Sequence, residues 1–176
     1  MCAASSLFVV PYTTLLPIVS KEIFNGNAKT FSWFESMAGI GALVGAIYMA
    51  RLKAGTNLRF RVIAGSAMMG LGLITLSLAT SLFWGLLSVF LTTMGMMIQN
   101  SSINTYIQTH SMPYYRARII SYYIMAFQGI FPIGNLIMGA IGEYLPIQAT
   151  LLIQGSIACL LCLIFSLYIR IHIIKR

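Results

Sequence analysis

The sequence predicts an all-α polytopic membrane protein, and three observations carry that expectation. Hydrophobic residues make up 59% of the 176 and charged residues only 8%, with a mean hydropathy of +0.87, whereas a soluble domain keeps about a quarter of its residues charged. Apolar runs recur along the whole chain, each near the roughly 20 residues that cross a bilayer. Short basic clusters punctuate those runs. Spans of this length must satisfy their own amide groups in lipid, which selects helix, because barrel strands would be about half as long. Six transmembrane helices in a single transmembrane domain over residues 1–176 are therefore expected.

The first span is expected at 2–20, with Pro11 and Pro17 interrupting it. Met1 leads straight into apolar sequence without a basic start, so this segment is expected to be retained rather than cleaved as a signal peptide. Lys21, Glu22, Asn25, Gly26, Asn27 and Lys29 then form a polar connection to the second span, at 32–50. Arg51, Lys53, Arg59 and Arg61 separate that span from the third, at 62–81, and a mere turn at Thr80 and Ser81 leads to the fourth, at 83–108. Pro113, Arg116 and Arg118 precede the fifth span, at 119–144, which contains Pro132. Glu143 and Pro146 mark the turn into the sixth, at 147–169, and Arg170, Lys175 and Arg176 form the tail. With the N-terminus in the cytoplasm, nine of the eleven basic residues lie inside and only Lys21 and Lys29 outside, an asymmetry that assigns both termini to the cytoplasm of a bacterial inner membrane. The formal charge of +8 is read as this topology signal, and no nucleic-acid partner is expected.

Several kinds of chemistry are excluded by what the chain lacks. It has no aspartate, and its acids are Glu22, Glu35 and Glu143. Carboxylate clusters that hold magnesium are therefore missing, and neither metal nor cofactor is expected. His110 and His172 fall in different cytoplasmic segments, and no serine lies in a Gly-x-Ser-Gly setting, so an intramembrane serine protease lacks its nucleophile and base, and an enzyme is not expected. The Asn100-Ser101-Ser102 sequon lies within a span, beyond the reach of glycosylation. Cys2, Cys159 and Cys162 leave an odd count, and Cys159 and Cys162 read as packing residues, since this Cys-x-x-Cys pair lies in an apolar helix without a redox-fold context.

The residues left to carry function are polar groups within spans. Glu35 is the one acid inside a span and so a candidate proton-coupling group, the alternative being contact with interfacial water or a pair with Lys29. Asn100, Asn104 and Gln108 recur every four residues and form a stripe on span four. Ser121, Gln128 and Asn135 recur every seven and form a second stripe on span five, drifting only about 20° per step. An amide left unpaired in lipid costs several kcal/mol, roughly, so each stripe faces protein or a water-filled path; interhelical hydrogen bonding and cavity lining are both open at this point. Gly41 with Gly45, Ser66 with Gly70, and Asn135 with Gly139 stand at the spacing that lets helices approach closely, and packing is expected at each.

Gly95, Gln99, Asn104, Gln108, Pro113, Arg116-Ala117-Arg118, Phe127-Gln128-Gly129, Pro132, Gly134 and Gly139 together resemble the tenth and eleventh helices of major facilitator transporters. The nearest branch is that of enterobactin-exporter and macrolide-efflux-like permeases, whose Gln-x-x-x-x-Pro-x-x-x-Arg-Gly-Arg run is similar to Gln108 to Arg118 with Ala117 in place of glycine. Gly39-Ile40-Gly41 and Gly45 resemble the eighth helix of the same proteins. One motif departs: the family's loop after the second helix of each half carries an Asp with Arg, and here Ala50 and Arg51 follow without an acid. The resemblance implies a six-helix half bundle, the second half of a twelve-span transporter whose substrate path lies between two halves. It implies small-molecule or drug efflux by alternating access, with a missing N-terminal half or a parallel homodimer partner completing the path in the lipid bilayer. The alternative is a non-transporting membrane subunit or a truncated remnant. It also places Asn100, Asn104, Gln108 and Gln128 nearest the path, and makes Pro113, Arg116 and Arg118 a cytoplasmic loop motif.

Overall fold

The computed structural model describes the backbone of residues 2–52 and 56–174 and the side chains of 4–52 and 56–168; the side chains of Cys2, Lys53, Arg170, His172, Lys175 and Arg176 lie outside the described residues. Regular structure among the described residues is entirely helical: α1 (Cys2–Phe8), α2 (Tyr12–Glu22), α3 (Ala28–Ala50), α4 (Leu58–Ser77), α5 (Leu82–His110), α6 (Pro113–Gln128), α7 (Phe131–Tyr144) and α8 (Ile147–Ile174). Five stretches are long and apolar enough to cross a membrane: α3, α4, α5, the α6–α7 pair and α8. The α1–α2 pair is a further apolar stretch, so the described helices make a bundle of five or six apolar spans.

Two spans are broken in mid-length, each beside a proline. Pro11 has no N–H to offer the Leu7 carbonyl, and α1 ends at Phe8. The chain widens there, with Val9 and Val10 both donating to the Ser5 carbonyl, before α2 resumes. Thr13 and Thr14 turn their hydroxyls onto the carbonyls of Val10 and Pro11, at 3.2 and 2.7 Å. Pro132 likewise leaves the Gln128 carbonyl without its helical donor, and α6 ends at Gln128. Pro17, by contrast, stays inside α2 and ends nothing. At the start of α3, Asn27 accepts from the amides of Lys29 and Thr30 while Thr30 accepts from the Asn27 amide, a reciprocal cap that fixes where the helix begins.

Lipid is as apolar as leucine, so helices here associate by close packing. α5 is the centre. Gly41 and Gly45 of α3 lie against its backbone at Phe90 and Met94, and Gly65 and Gly72 of α4 against Gly95 and Thr92. α8 closes on the far side of α4, where Gly70 meets Ala158 and Cys159, and Gly155 meets Ile74. Between them lies a core that includes Tyr12, Leu15, Leu16, Phe34, Met69, Leu73, Leu76 and Leu151. The fifth span is bound far more loosely: half of the most apolar stretch of α4 is buried, against 11% of that of α6–α7. One expectation changes here. Gly139, expected to pack, has nothing within 4 Å of where a Cβ would stand, and the same holds for Gly39, so these glycines open outward from the bundle.

Candidate functional site

The two broken spans meet at their breaks. Ser6 of α1 donates its hydroxyl to the Phe127 carbonyl, one residue before the end of α6. Gly134 of α7 has no Cβ, and that absence lets its backbone rest on the Leu7 carbonyl and the Pro11 ring. The carbonyl that Pro11 frees is thus the one that α7 covers. From α5, Gln99 reaches in and donates from Nε2 to the Ser5 hydroxyl at 3.0 Å, both side chains buried. Spans one, four and five are therefore joined at mid-length by side-chain hydroxyls, an amide and two helix discontinuities. Irregular backbone at membrane depth is tolerated where it is buried in protein or lines a water-filled cavity, and discontinuous helices form the midplane sites of many transporters.

Around this junction the expected residues divide into two groups. Gln128 lies at the α6 terminus, exposed, with its backbone carbonyl freed by Pro132. Asn135 stands two turns further along the same span, partly buried, and its Oδ1 has no hydrogen-bond partner. Asn100, half-buried, adjoins Gln99. The other three lie away from the junction. α5 has 29 residues and is about 43 Å long at 1.5 Å per residue, so it overruns the roughly 30 Å hydrocarbon core. Asn104 and Gln108 are on its last turns, exposed, and Gln108 donates to Asn104 at 3.0 Å. Ser121 is exposed and turns its hydroxyl back to the Ala117 carbonyl at 3.0 Å, inside its own helix.

Glu35 is exposed on the first half of α3. Pro113 opens α6 at its first turn, where a missing N–H costs nothing. Arg116 and Arg118 are exposed beyond it, and Arg118 lies over the Tyr122 ring with Cζ 5.9 Å from the centroid. Cys162 donates its thiol to the Ile63 carbonyl at 3.4 Å, tying α8 to α4. Among the described residues, no three His, Cys, Asp or Glu side chains gather closely enough to hold a metal ion.

Sequence reasoning named Pro11 and, through the family resemblance, Gln99 and Gly134, but neither Ser5 nor Ser6. Gln99 sits one place off the Asn100 stripe, and Ser5 and Ser6 look unremarkable in an apolar run; only the spatial meeting of spans one, four and five gives them a role. Gln154 was hidden in the same way. It lies in α8, fully buried, with neither amide atom hydrogen bonded, and the Tyr12 hydroxyl is buried and unbonded too. Buried polar atoms of this kind call for an ordered water or a solute.

A family model described as transmembrane secretion effector matches residues 2–176. The staphyloferrin A transporter of Staphylococcus aureus is 23% identical over 158 residues, which cover 88% of this chain and 38% of that protein. The chain thus spans well under half the length of the relative it matches. No solved structure matches it.

Proposed function

This chain belongs to the transmembrane secretion effector family of major facilitator transporters, and on that premise we propose that it is the second six-helix half of a bacterial inner-membrane exporter of small polar organic molecules. Transport across a membrane is the family's activity; export, substrate class and half-transporter role are the proposal. A metal-chelating siderophore is the favoured substrate class, since the relative is named for one, and both drug-like and siderophore molecules present the hydrogen-bonding groups that amides and freed carbonyls recognise. In this reading the first half, or a second copy in parallel orientation, docks over α6–α7 and the Gly39 flank of α3. Both termini lie in the cytoplasm. The two bundles rock about the junction of the broken spans.

One observation carries the proposal. Gln128 is exposed at the middle of a span that the rest of the chain leaves mostly uncovered, and it offers both an amide and a carbonyl released by Pro132. Lipid satisfies neither group. A second bundle enclosing a water-filled path satisfies both. Asn100 and Asn135 extend the same lining, Asn104 and Gln108 form its mouth with Ser121, and Arg116 and Arg118 flank that mouth. Glu35 is proposed as the proton-coupling group, so Glu35→Gln is expected to abolish the dependence of export on the proton gradient while leaving substrate binding in place. The deciding experiment reconstitutes this chain with and without the companion half and follows efflux of an iron-free siderophore. Efflux is expected only with both halves, and Gln128→Leu is expected to remove it; saturable, gradient-driven transport by a chain shown to be monomeric overturns the proposal.

A further inference from the structure

At one end of the bundle, where α3 ends, α4 begins and α5 ends, two arginines are held over tyrosines. Arg59 of α4 lies over Tyr106 of α5, its Cζ 5.6 Å from the ring centroid, and donates from Nη2 to the Tyr106 hydroxyl at 3.0 Å. Arg61 of α4 lies over Tyr48 of α3 at 5.1 Å and donates from Nη1 to that hydroxyl. Each guanidinium is thereby fixed across a helix-helix seam while keeping further N–H donors, and the buried Nε of Arg61 has no partner. Among the described residues, no carboxylate side chain lies at this end. The chain's three acids, Glu22, Glu35 and Glu143, lie toward the end of α2, the start of α3 and the end of α7, all at the opposite end of the bundle.

The topology rule needs only basic charge, and lysine in a loose loop would meet it. Guanidinium groups fixed over rings do more: they present a planar fork to a phosphate. The surroundings name the kind of phosphate. Phe60, between the two arginines in the sequence, is 66% exposed, and Ile40, Val44 and Ile47 form an exposed apolar strip running down α3 beside Tyr48. A cationic head position above an apolar track is the complement of an amphiphile with an anionic head and acyl chains.

We propose that Arg59 and Arg61, set over Tyr106 and Tyr48, form a binding site for the headgroup phosphate of an anionic phospholipid, whose acyl chains lie along Phe60 and the Ile40–Ile47 strip. The site takes the place at this seam of an acid that would otherwise pair with the arginines. It depends on the membrane embedding of the chain and is independent of whether the chain exports anything.

The test uses the full chain reconstituted in phosphatidylcholine vesicles with spin-labelled phosphatidylglycerol or phosphatidylcholine as probe, the immobilised fraction giving relative affinity. The wild-type chain is expected to prefer phosphatidylglycerol, and Arg59→Gln with Arg61→Gln to cut that preference by about fivefold per arginine. Tyr48→Phe with Tyr106→Phe keeps every charge and the fold, and is expected to lower it by a smaller factor. Lys21→Gln with Lys29→Gln removes two charges at the other end and should leave it unchanged. Equal losses from the arginine and lysine pairs mean net charge alone and overturn the site. Displacement of the probe by inorganic phosphate means a free-anion site and overturns the lipid assignment.

Discussion

Replacing Gly95 with alanine probes the close backbone crossing of α4 and α5. A Cβ at Gly95 stands 2.6 Å from the Gly65 carbonyl oxygen and 2.8 Å from the Met69 amide nitrogen, and one at Gly65 stands 2.7 Å from the Gly95 carbonyl oxygen. Ordinary contact begins at 3.4 Å, so either alanine must part α4 and α5 by about 0.8 Å at the crossing. The obstructing atoms are backbone and cannot rotate away, which puts the overpacking cost in the upper part of the usual range, about 2–3 kcal/mol. Alanine's better helix propensity returns about 1 kcal/mol at most. A net loss of about 1–2 kcal/mol follows, roughly a 5- to 30-fold drop in the folding constant. The two substitutions share one gap, so Gly65→Ala with Gly95→Ala should cost clearly less than the sum of the single changes. Equilibrium unfolding of the purified chain in mixed micelles, titrated with dodecyl sulfate and followed by helical ellipticity, measures each value. A Gly95→Ala chain within about 0.5 kcal/mol of wild type, or strict additivity of the pair, would refute the close-crossing geometry.

Other substitutions separate internal packing from outward faces. Gly39→Ala and Gly139→Ala meet nothing within 4 Å and should leave the lone chain as stable or more stable, by up to about 1 kcal/mol, in the same titration; in the assembled transporter they should weaken association of the halves, measured by co-purification. Ser5→Ala strands the buried Gln99 amide, at a cost of about 1–3 kcal/mol. Adding Gln99→Leu should restore most of it, as the same unfolding assay reads. Asn27→Ala removes the reciprocal cap of α3, costing about 1 kcal/mol, whereas Asn27→Gly should cost only a few tenths by that measure.

The helices were legible because lipid imposes one rule on every residue of a span: an apolar surface and an internally bonded backbone. That rule speaks through composition, so the apolar stretches could be read without knowing their partners. The break in the first span was foreshadowed by Pro11, yet Pro17, equally visible in sequence, leaves α2 intact. What differs is the neighbourhood: at Pro11 the freed Leu7 carbonyl is covered by Gly134, a contact across the whole chain. The amide stripes show the same limit. Periodicity groups Asn100, Asn104 and Gln108 on one face, but depth depends on the length and position of α5, which carries the latter two to its last turns. Gln154 carries no periodic signal, and burial alone marks it out.

The most direct test of the half-transporter reading is thiol accessibility in the membrane, with this chain assembled beside its companion half. Cysteine is placed singly at Asn100, Gln128 or Asn135, and as controls at Leu160 or Ile164, which are 56% and 62% exposed on α8 and face lipid in this reading. The endogenous cysteines are changed to serine, and the rate of reaction with a membrane-permeant maleimide, which modifies only the water-ionised thiolate, is measured for each. Reaction at Asn100, Gln128 and Asn135 at least tenfold faster than at the α8 positions, and slowed by added iron-free siderophore, is the predicted result. Rates at those three positions as slow as at Leu160 and Ile164 would show that no water-filled path runs past the junction of the broken spans.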